Sequence, residues 1–540
     1  MTEADSLADE LVELQFAANP ILPSMLGLPG EHDRLPDLSL AAEQRFRSRF
    51  ADLAARAERA EGDPVTRAVV RQQAGAAIDR IDAAEVEFQV SSAHSAPALT
   101  LLNALPKISL DDEEKATGHL ARLAALPSYL DTVTGRQRSA VARGLVPPEF
   151  LVAVAIGQLD RYLSRPDADP LRREGPGIDA TRQDALLADV VRPAYRRYRD
   201  FLAGEVGPHA AARAGVCWQP GGEERYALQI RVHTTTERTA RELHETGLAM
   251  ISALAGEYRE LGGRVFGTTE LPEIFRRLRT DPGLRWNDGE ELLDAARAAV
   301  ARAESAAPEW FRWVPDHACE VRAIPDIEAP TQTLGYYQRP DFTGPRPGTF
   351  YANTYRAQER FRHLSEALSF HEAVPGHHFQ FAGLMKRDLP LLRKVCRVNA
   401  CSEGWALYAE RLADEMGLYS SDVSRFGMLT QDSMRAGRLV VDTGLHALGW
   451  SRRRAVAFLT ENTPMAPLEI ESEIDRYAGW PGQALSYMVG RLEIQRIRAE
   501  AEHRLGDTFD VRDFHDVVLR NGILPLSVLD SVVRAWTPGH

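Results

Sequence analysis

Apolar residues three and four apart recur along most of this chain, and that spacing limits its fold more than any other feature. Segments 40–61, 113–126, 181–204, 236–262 and 290–304 combine it with an abundance of Ala, Leu, Arg and Glu, the pattern of helices that bury one face. Strand-like runs are few. The best are Tyr226–Thr235, Cys319–Ile324 and Gln332–Gln338, followed by an extended piece at Thr349–Thr354. The proline-rich stretch 341–349 joins the last two as a loop or hairpin connection. The expected fold is mainly α, a large helical body with a small antiparallel sheet beside the functional helix and a deep cleft. No repeat or low-complexity linker interrupts it. Residues 226–540 are denser in aromatic and special residues, so 1–225 is expected to be a helical cover and 226–540 the catalytic region of one compact unit.

At 540 residues the chain can bury a large core. A net charge of −13, with no dense Lys/Arg patch, argues against nucleic acid or an anionic membrane as partner. The N-terminal MTEADSLADELVELQFAANP is acidic and lacks a basic region followed by an apolar run, so no signal peptide is expected. No stretch has the length of uninterrupted apolar residues that a membrane span requires. The four cysteines, Cys217, Cys319, Cys396 and Cys401, fit no standard zinc or redox spacing. They read as reduced thiols, and the protein as cytoplasmic.

The chemistry is concentrated in SFHEAVPGHHFQ, residues 369–380. A His-Glu pair alone means little. His244-Glu245 is another, with no second histidine nearby, and reads as structural. His371-Glu372 differs because His377 and His378 follow closely. In the regular H-E-x-x-H motif two histidines four apart on one helix face bind zinc, and the Glu between them acts as general base. Here the fourth position after His371 is Pro375, which cannot be a ligand. Pro375 blocks the helical hydrogen bond and Gly376 tolerates almost any backbone angle, so the pair permits a break that absorbs two extra residues. Such a break puts His377 where the second ligand would sit. His378, seven residues after His371 and so about 10.5 Å along an unbroken helix, is the less favoured alternative.

A catalytic zinc needs a third protein ligand and an open position for water. Glu403, in the segment NACSEGWALYAERL, is the candidate, with Glu410 as its rival seven residues on. The segment reads as a helix with Glu403 in the first turn, Ser402 or Asn399 as cap, and Trp405, Tyr408, Leu412 and Met416 as an apolar stripe.

These stretches also carry a resemblance. HEAVPGHH, SEGWALYAERL, RLVVDTGLHALGW and PGQALSYMVGRLEI, with LGLPGEHDRLPDLS, RVHTTTERTARELHETGL and RPGTFYANTY before them, identify the chain as a member of the bacterial family of domain of unknown function 885. Members resemble helical gluzincin peptidases such as thimet oligopeptidase and the carboxypeptidase Taq type. The resemblance implies a gluzincin-like helical body. It also implies one zinc per chain, with a Glu downstream of the second histidine as third ligand. Glu403, 26 residues after His377, fits that place. Dipeptidyl peptidase III is similar in another way, since it tolerates one residue inserted between its ligand histidines; here the insertion is two.

Other residues are candidates by type and spacing. Arg438, Asp442 and His446 share a helix face, either as an ion-pair ladder or with Asp442 and His446 as supports behind the metal ligands. Tyr487 is a candidate oxyanion donor and Arg491 a candidate clamp for a substrate carboxylate. Asn353 and Tyr355, on the extended piece, are candidates for binding substrate backbone. The expected activity is a zinc metallopeptidase-like hydrolysis of short peptides by a monomer or homodimer. His371, His377 and Glu403 hold the metal and Glu372 serves as base. The alternatives are a zinc hydrolase of a non-peptide amide or specialised metabolite, and a non-catalytic helical binding protein. A general base at 372 has no use in the last of these.

Overall fold

The periodic segments fold as helices, among them Leu40–Arg59, Glu113–Ala142, Ala240–Phe266 and Gly289–Trp310. The third shows how local sequence sets the ends. Thr239 and Glu242 form a capping box, and Gly267 closes the helix at φ 67°, a left-handed angle that costs glycine little. Helix also fills the 181–204 region, with two five-residue π segments, Leu187–Val191 and Leu202–Val206, wound into it. The computed structural model describes residues 2–538 apart from 92–94, 327–328, 330–332 and 341–346.

The expected strand Tyr226–Thr235 is instead part of a helix, Gly222–Thr234. Tyr226, Gln229, Ile230 and His233 are all buried. Their spacing of three, four and seven is helical, and it overrides the β-branched composition of the run.

The sheet has three short strands: β1 (Glu320–Ala323), β2 (Gly335–Gln338) and β3 (Thr349–Ala352), in the order β1-β3-β2. It is mixed rather than purely antiparallel. β2 pairs antiparallel with β3, Gly335 opposite Ala352, while β1 runs parallel to β3, Glu320 opposite Thr349. The short β2–β3 link suits an antiparallel pair. The chain from β1 to β3 is long enough to return and lay the two strands parallel. Residue 332 of the expected second strand, and 341–346 of the expected connection, lie outside the described residues.

The chain divides into two compact units. One comprises Met1–Val232 with Gly444–Arg452 and Ile474–Pro481. Its core includes Tyr195 and Tyr198, whose hydroxyls donate to Ala98 O and Gln137 Oε1 at 3.0 Å each, so both rings are buried with their polar ends satisfied. The other comprises His233–Thr443, Arg453–Glu473 and Gly482–His540. It contains the sheet and a core built on Trp405, Tyr408, Phe379, Phe426 and Phe514.

Candidate metal centre

Helix α1 (Leu364–Glu372) ends on the His-Glu pair, and helix α2 (His377–Met385) starts at the next histidine. The break expected at Pro375 and Gly376 is present. The Val374–Pro375 peptide is cis, and His378 N donates across a wide turn to Ala373 O at 3.1 Å. A Cβ at position 376 would stand 1.9 Å from His371 O, so only glycine lets the two helices meet this closely. Among the described residues the break leaves the Pro375 carbonyl without a regular helical partner, while Gly376 O still accepts from Gln380 N at 3.3 Å. Both carbonyls accept from the indole N–H of Trp405, at 3.0 and 3.2 Å. Trp405 belongs to α3 (Asn399–Glu415), the helix of Glu403. The side chain that repairs the break therefore also seats Glu403 against it.

α3 begins at Asn399 after Val398, with no side-chain cap. Glu403 thus opens the second turn rather than lying in the first, and neither Ser402 nor Asn399 caps the helix.

The result is convergence. His371 Nε2 and His377 Nε2 each lie 3.6 Å from Glu403 Oε2, and the three donor atoms fall within 4.8 Å of one another. Charged hydrogen bonds between these groups would close to about 2.7–2.9 Å. Three donors around a tetrahedral zinc, each at about 2.0–2.1 Å, would stand roughly 3.4 Å apart. The two 3.6 Å separations lie closer to that spacing than to a charged hydrogen bond. The two imidazoles are almost wholly buried, whereas the Glu403 side chain keeps 24% of its exposure, so solvent reaches the cluster from the carboxylate side.

Glu410, weighed above as a rival ligand, stands behind His371. It is fully buried, with Oε1 2.7 Å from His371 Nδ1. Nδ1–H donates to this carboxylate, which turns Nε2 toward Glu403. The acidic surroundings attract positive charge. Burial lowers the His371 imidazole, but the Glu403 and Glu410 carboxylates outweigh it and raise it to about 9. Burial likewise raises the Glu403 carboxyl, yet the His371 and His377 imidazoles hold it well below the usual carboxylate range. Glu372 is half-buried beside His371, and its charge adds to the field on that ring.

His378 faces elsewhere. Its Nε2–H donates to His317 O at 3.0 Å and its Nδ1 accepts from the Tyr337 hydroxyl at 3.1 Å. Both nitrogens are engaged, so of the two histidines it is His377 that joins the cluster. Tyr337, on β2, also stacks near His377 and Phe381, with ring centroids 6.5 and 6.2 Å away. Sequence reasoning placed this tyrosine on a strand and gave it no role. The second His-Glu pair is structural as read: His244 is buried, with Nδ1 2.8 Å from the Thr443 hydroxyl.

Several expected participants are engaged with other residues of the protein. Asn353 is fully buried, donating to Ala329 O and Thr333 O at 2.9 and 2.8 Å and accepting from Tyr355 N at 3.1 Å. It clamps loops around the sheet and offers nothing to a substrate strand. Arg491, 4% exposed, pairs with the buried Asp432, so its guanidinium already has a carboxylate inside the protein. Asp442 accepts from Gly482 N through both oxygens, at 3.1 and 3.3 Å, and holds a turn. His446 belongs to the first unit, where its Nε2–H donates to Tyr477 O at 3.0 Å and its Nδ1 accepts from Val216 N at 3.3 Å. The carboxylate that meets an imidazole of the cluster is that of Glu410, at His371 Nδ1. Tyr487 is half-buried, with the Arg438 guanidinium 4.4 Å from its ring centre.

The fold has solved relatives. The crystal structure of a candidate lipoprotein from Colwellia psychrerythraea is similar over 99% of this chain and 98% of its own, with a TM-score of 0.91 and 26% identity. That of a candidate lipoprotein of unknown function from Shewanella oneidensis matches over 99% and 100%, with a TM-score of 0.76 and 16% identity, a likeness of fold alone. A phosphoglucosamine mutase from Methylibium petroleiphilum is 27% identical over 148 residues, which are 26% of this chain and 31% of the enzyme; the chain thus covers less than a third of that curated relative. The expected cytoplasmic placement is corrected by the Colwellia structure, whose protein is described as a candidate lipoprotein. Acidic composition and four unpaired cysteines do not by themselves fix a compartment. The family described as bacterial protein of unknown function (DUF885) matches residues 20–533, and this chain belongs to it.

Proposed function

We propose that this protein is a zinc-dependent metallohydrolase that cleaves amide bonds of short peptides. One observation carries the reading: two imidazole nitrogens and one carboxylate oxygen converge at metal-sharing distances, with a buried carboxylate orienting the first imidazole. Two nitrogens and an oxygen, with a fourth position left to water, are the donor set of catalytic zinc sites. Zinc bound there would polarise the scissile carbonyl and make water nucleophilic near neutral pH.

The chain's own residues supply the rest. His371 and His377 offer Nε2 and Glu403 offers Oε2, while Glu410 fixes the tautomer and direction of His371. Glu372, next in sequence to a ligand, accepts the proton of the attacking water and passes it to the leaving amine. Tyr487 donates to the developing oxyanion. The resemblance of the motif to helical gluzincins, with Glu403 in the place of their third ligand, supports the same roles.

The test is turnover of short peptides and of acyl-amino compounds by the zinc-loaded protein and its Glu372→Gln variant. The variant should keep its zinc and lose activity by about 10²–10⁴-fold, the usual contribution of a general base. Equal activity in the variant would remove Glu372 from the mechanism. Cleavage of the acyl-amino compounds alone would move the substrate class away from peptides.

A further inference from the structure

Three helices of the second unit fix what stands beside Glu403. They are α3, α4 (Asp422–His446), which lies in this unit as far as Thr443, and α6 (Ser486–Leu505); Glu473 of α5 (Pro467–Gly479) pairs with Arg438 of α4. α3 and α6 meet through glycines. A Cβ at Gly404 would lie 2.5 Å from Gly490 Cα, and one at Gly490 would lie 1.9 Å from Ala400 O. Farther along, Arg498 of α6 reaches the Tyr408 hydroxyl at 2.9 Å and Glu415 at 2.9 Å on α3. The two helices therefore run parallel, and with Gly404 opposite Gly490, Glu403 stands between the levels of Tyr487 and Arg491. α4 runs the other way. Its Asp432 takes Arg411 of α3 and Arg491 of α6, while Arg435 and Arg438, one and two turns later, approach the Tyr487 ring at 5.8 and 4.4 Å.

The arginines of this wall differ in one respect. Arg411 has Asp432 and Glu257, Arg438 has Glu473, and Arg491 has Asp432 as carboxylate partners. Arg435 is equally deep, 6% exposed, but its hydrogen bond goes to the neutral amide of Gln431, and its Nε, like that of Arg491, has no hydrogen-bond partner among the described residues. Glu469 of α5 lies within electrostatic range of Arg435, yet among the described residues no carboxylate forms an ion pair with it. A guanidinium cannot shed its charge, and burying one without a counter-ion is costly. Its planar fork is shaped for a carboxylate.

We propose that Arg435, beside Tyr487, binds the terminal carboxylate of the substrate at the level of Glu403, so that the enzyme works at the carboxyl end of short peptides. This deepens the peptidase reading and rests on it for the cleavage step, but binding can be measured without turnover. The probes are N-acetyl-leucyl-leucine, its carboxamide, and N-acetyl-glutamyl-leucinamide, in which the carboxylate is moved to a side chain. Calorimetric titration of the zinc-loaded full chain should give at least about tenfold tighter binding of the free acid than of either amide, the usual worth of a charged hydrogen-bonded pair. Arg435→Gln should erase the preference, and Arg435→Lys, which keeps the charge and guards against a folding defect, should retain part of it. Equal binding of acid and carboxamide, no binding of the acid at millimolar concentration, stronger binding of the side-chain acid, or a preference that survives Arg435→Gln would each overturn the proposal. A protein that binds the acid through Arg435 but cleaves no peptide would keep this assignment and overturn the peptidase reading instead.

Discussion

Replacing Glu410 by glutamine should weaken zinc binding without removing any ligand. The carboxylate is fully buried and holds His371 Nδ1 at 2.7 Å through Oε1, while Oε2 has no hydrogen-bond partner among the described residues. A glutamine of the same shape still offers an oxygen to Nδ1–H, so the ring keeps its direction. It loses the charge, and charge-assisted hydrogen bonds are about twice as strong as neutral ones. Its NH₂ group would also sit where Oε2 now lies, with no acceptor, at a cost of about 1–3 kcal/mol in stability. Supports of this kind contribute about 10–100-fold in metal affinity, or roughly 1.4–2.7 kcal/mol. Glu410→Gln should fall at the low end. Glu410→Ala, which leaves Nδ1–H unpaired, should fall at the high end. Competition against a chromogenic zinc chelator at fixed pH measures both, with thermal melting to confirm that each variant is folded. Zinc affinity unchanged in both variants would refute the idea that Glu410 orients a ligand.

Three further outcomes follow from packing and burial. Gly490→Ala places a Cβ 1.9 Å from Ala400 O, so α3 and α6 must separate, which should cost about 3 kcal/mol or more and lower the melting temperature. Gly256→Ala, with nothing within 4 Å of the new atom, should instead be neutral or stabilising by up to ~1 kcal/mol. Acid should destabilise the fold before the carboxylates titrate. Burial pushes His446 down to about 4 and His515 to about 3 from an ordinary 6.5. Each is neutral when folded and takes up a proton on unfolding, so its contribution is complete above pH 6.5. It is lost as pH falls toward those values, at about 1.4 kcal/mol per pH unit. Denaturant titrations between pH 7 and 4 should show that slope, and His515→Gln should flatten it.

The convergence of His371, His377 and Glu403 was legible because much of it is local. Pro375 and Gly376 announce a break, the break carries His377 two residues on, and sequence distance together with the family resemblance brought Glu403 forward. The helical body was legible for the same reason, since a period of three and four repeats within each segment. Tyr226–Thr235 misled because β-branched residues lay on a helical period. The supports were not legible because they depend on contacts distant in sequence. Glu410 was in view only as a competing ligand, and its role emerges from the packing of α3 on α1. Trp405 looked like one more residue of an apolar stripe, although its indole N–H completes the broken helix turn. Asn353 and Arg491 have the residue types that bind substrates, but burial with internal partners decides otherwise. Arg435 drew no notice, because an arginine lacking a carboxylate can be recognised only once its neighbours are in place.

Zinc content per chain, measured on the wild type, His377→Ala and His378→Ala after purification without added metal, bears most directly on the proposed site. About one zinc should accompany each wild-type and His378→Ala chain, and almost none should remain with His377→Ala, which removes one of three protein ligands. A wild-type protein that takes up no zinc even when it is offered, or a site lost in His378→Ala and kept in His377→Ala, would contradict it.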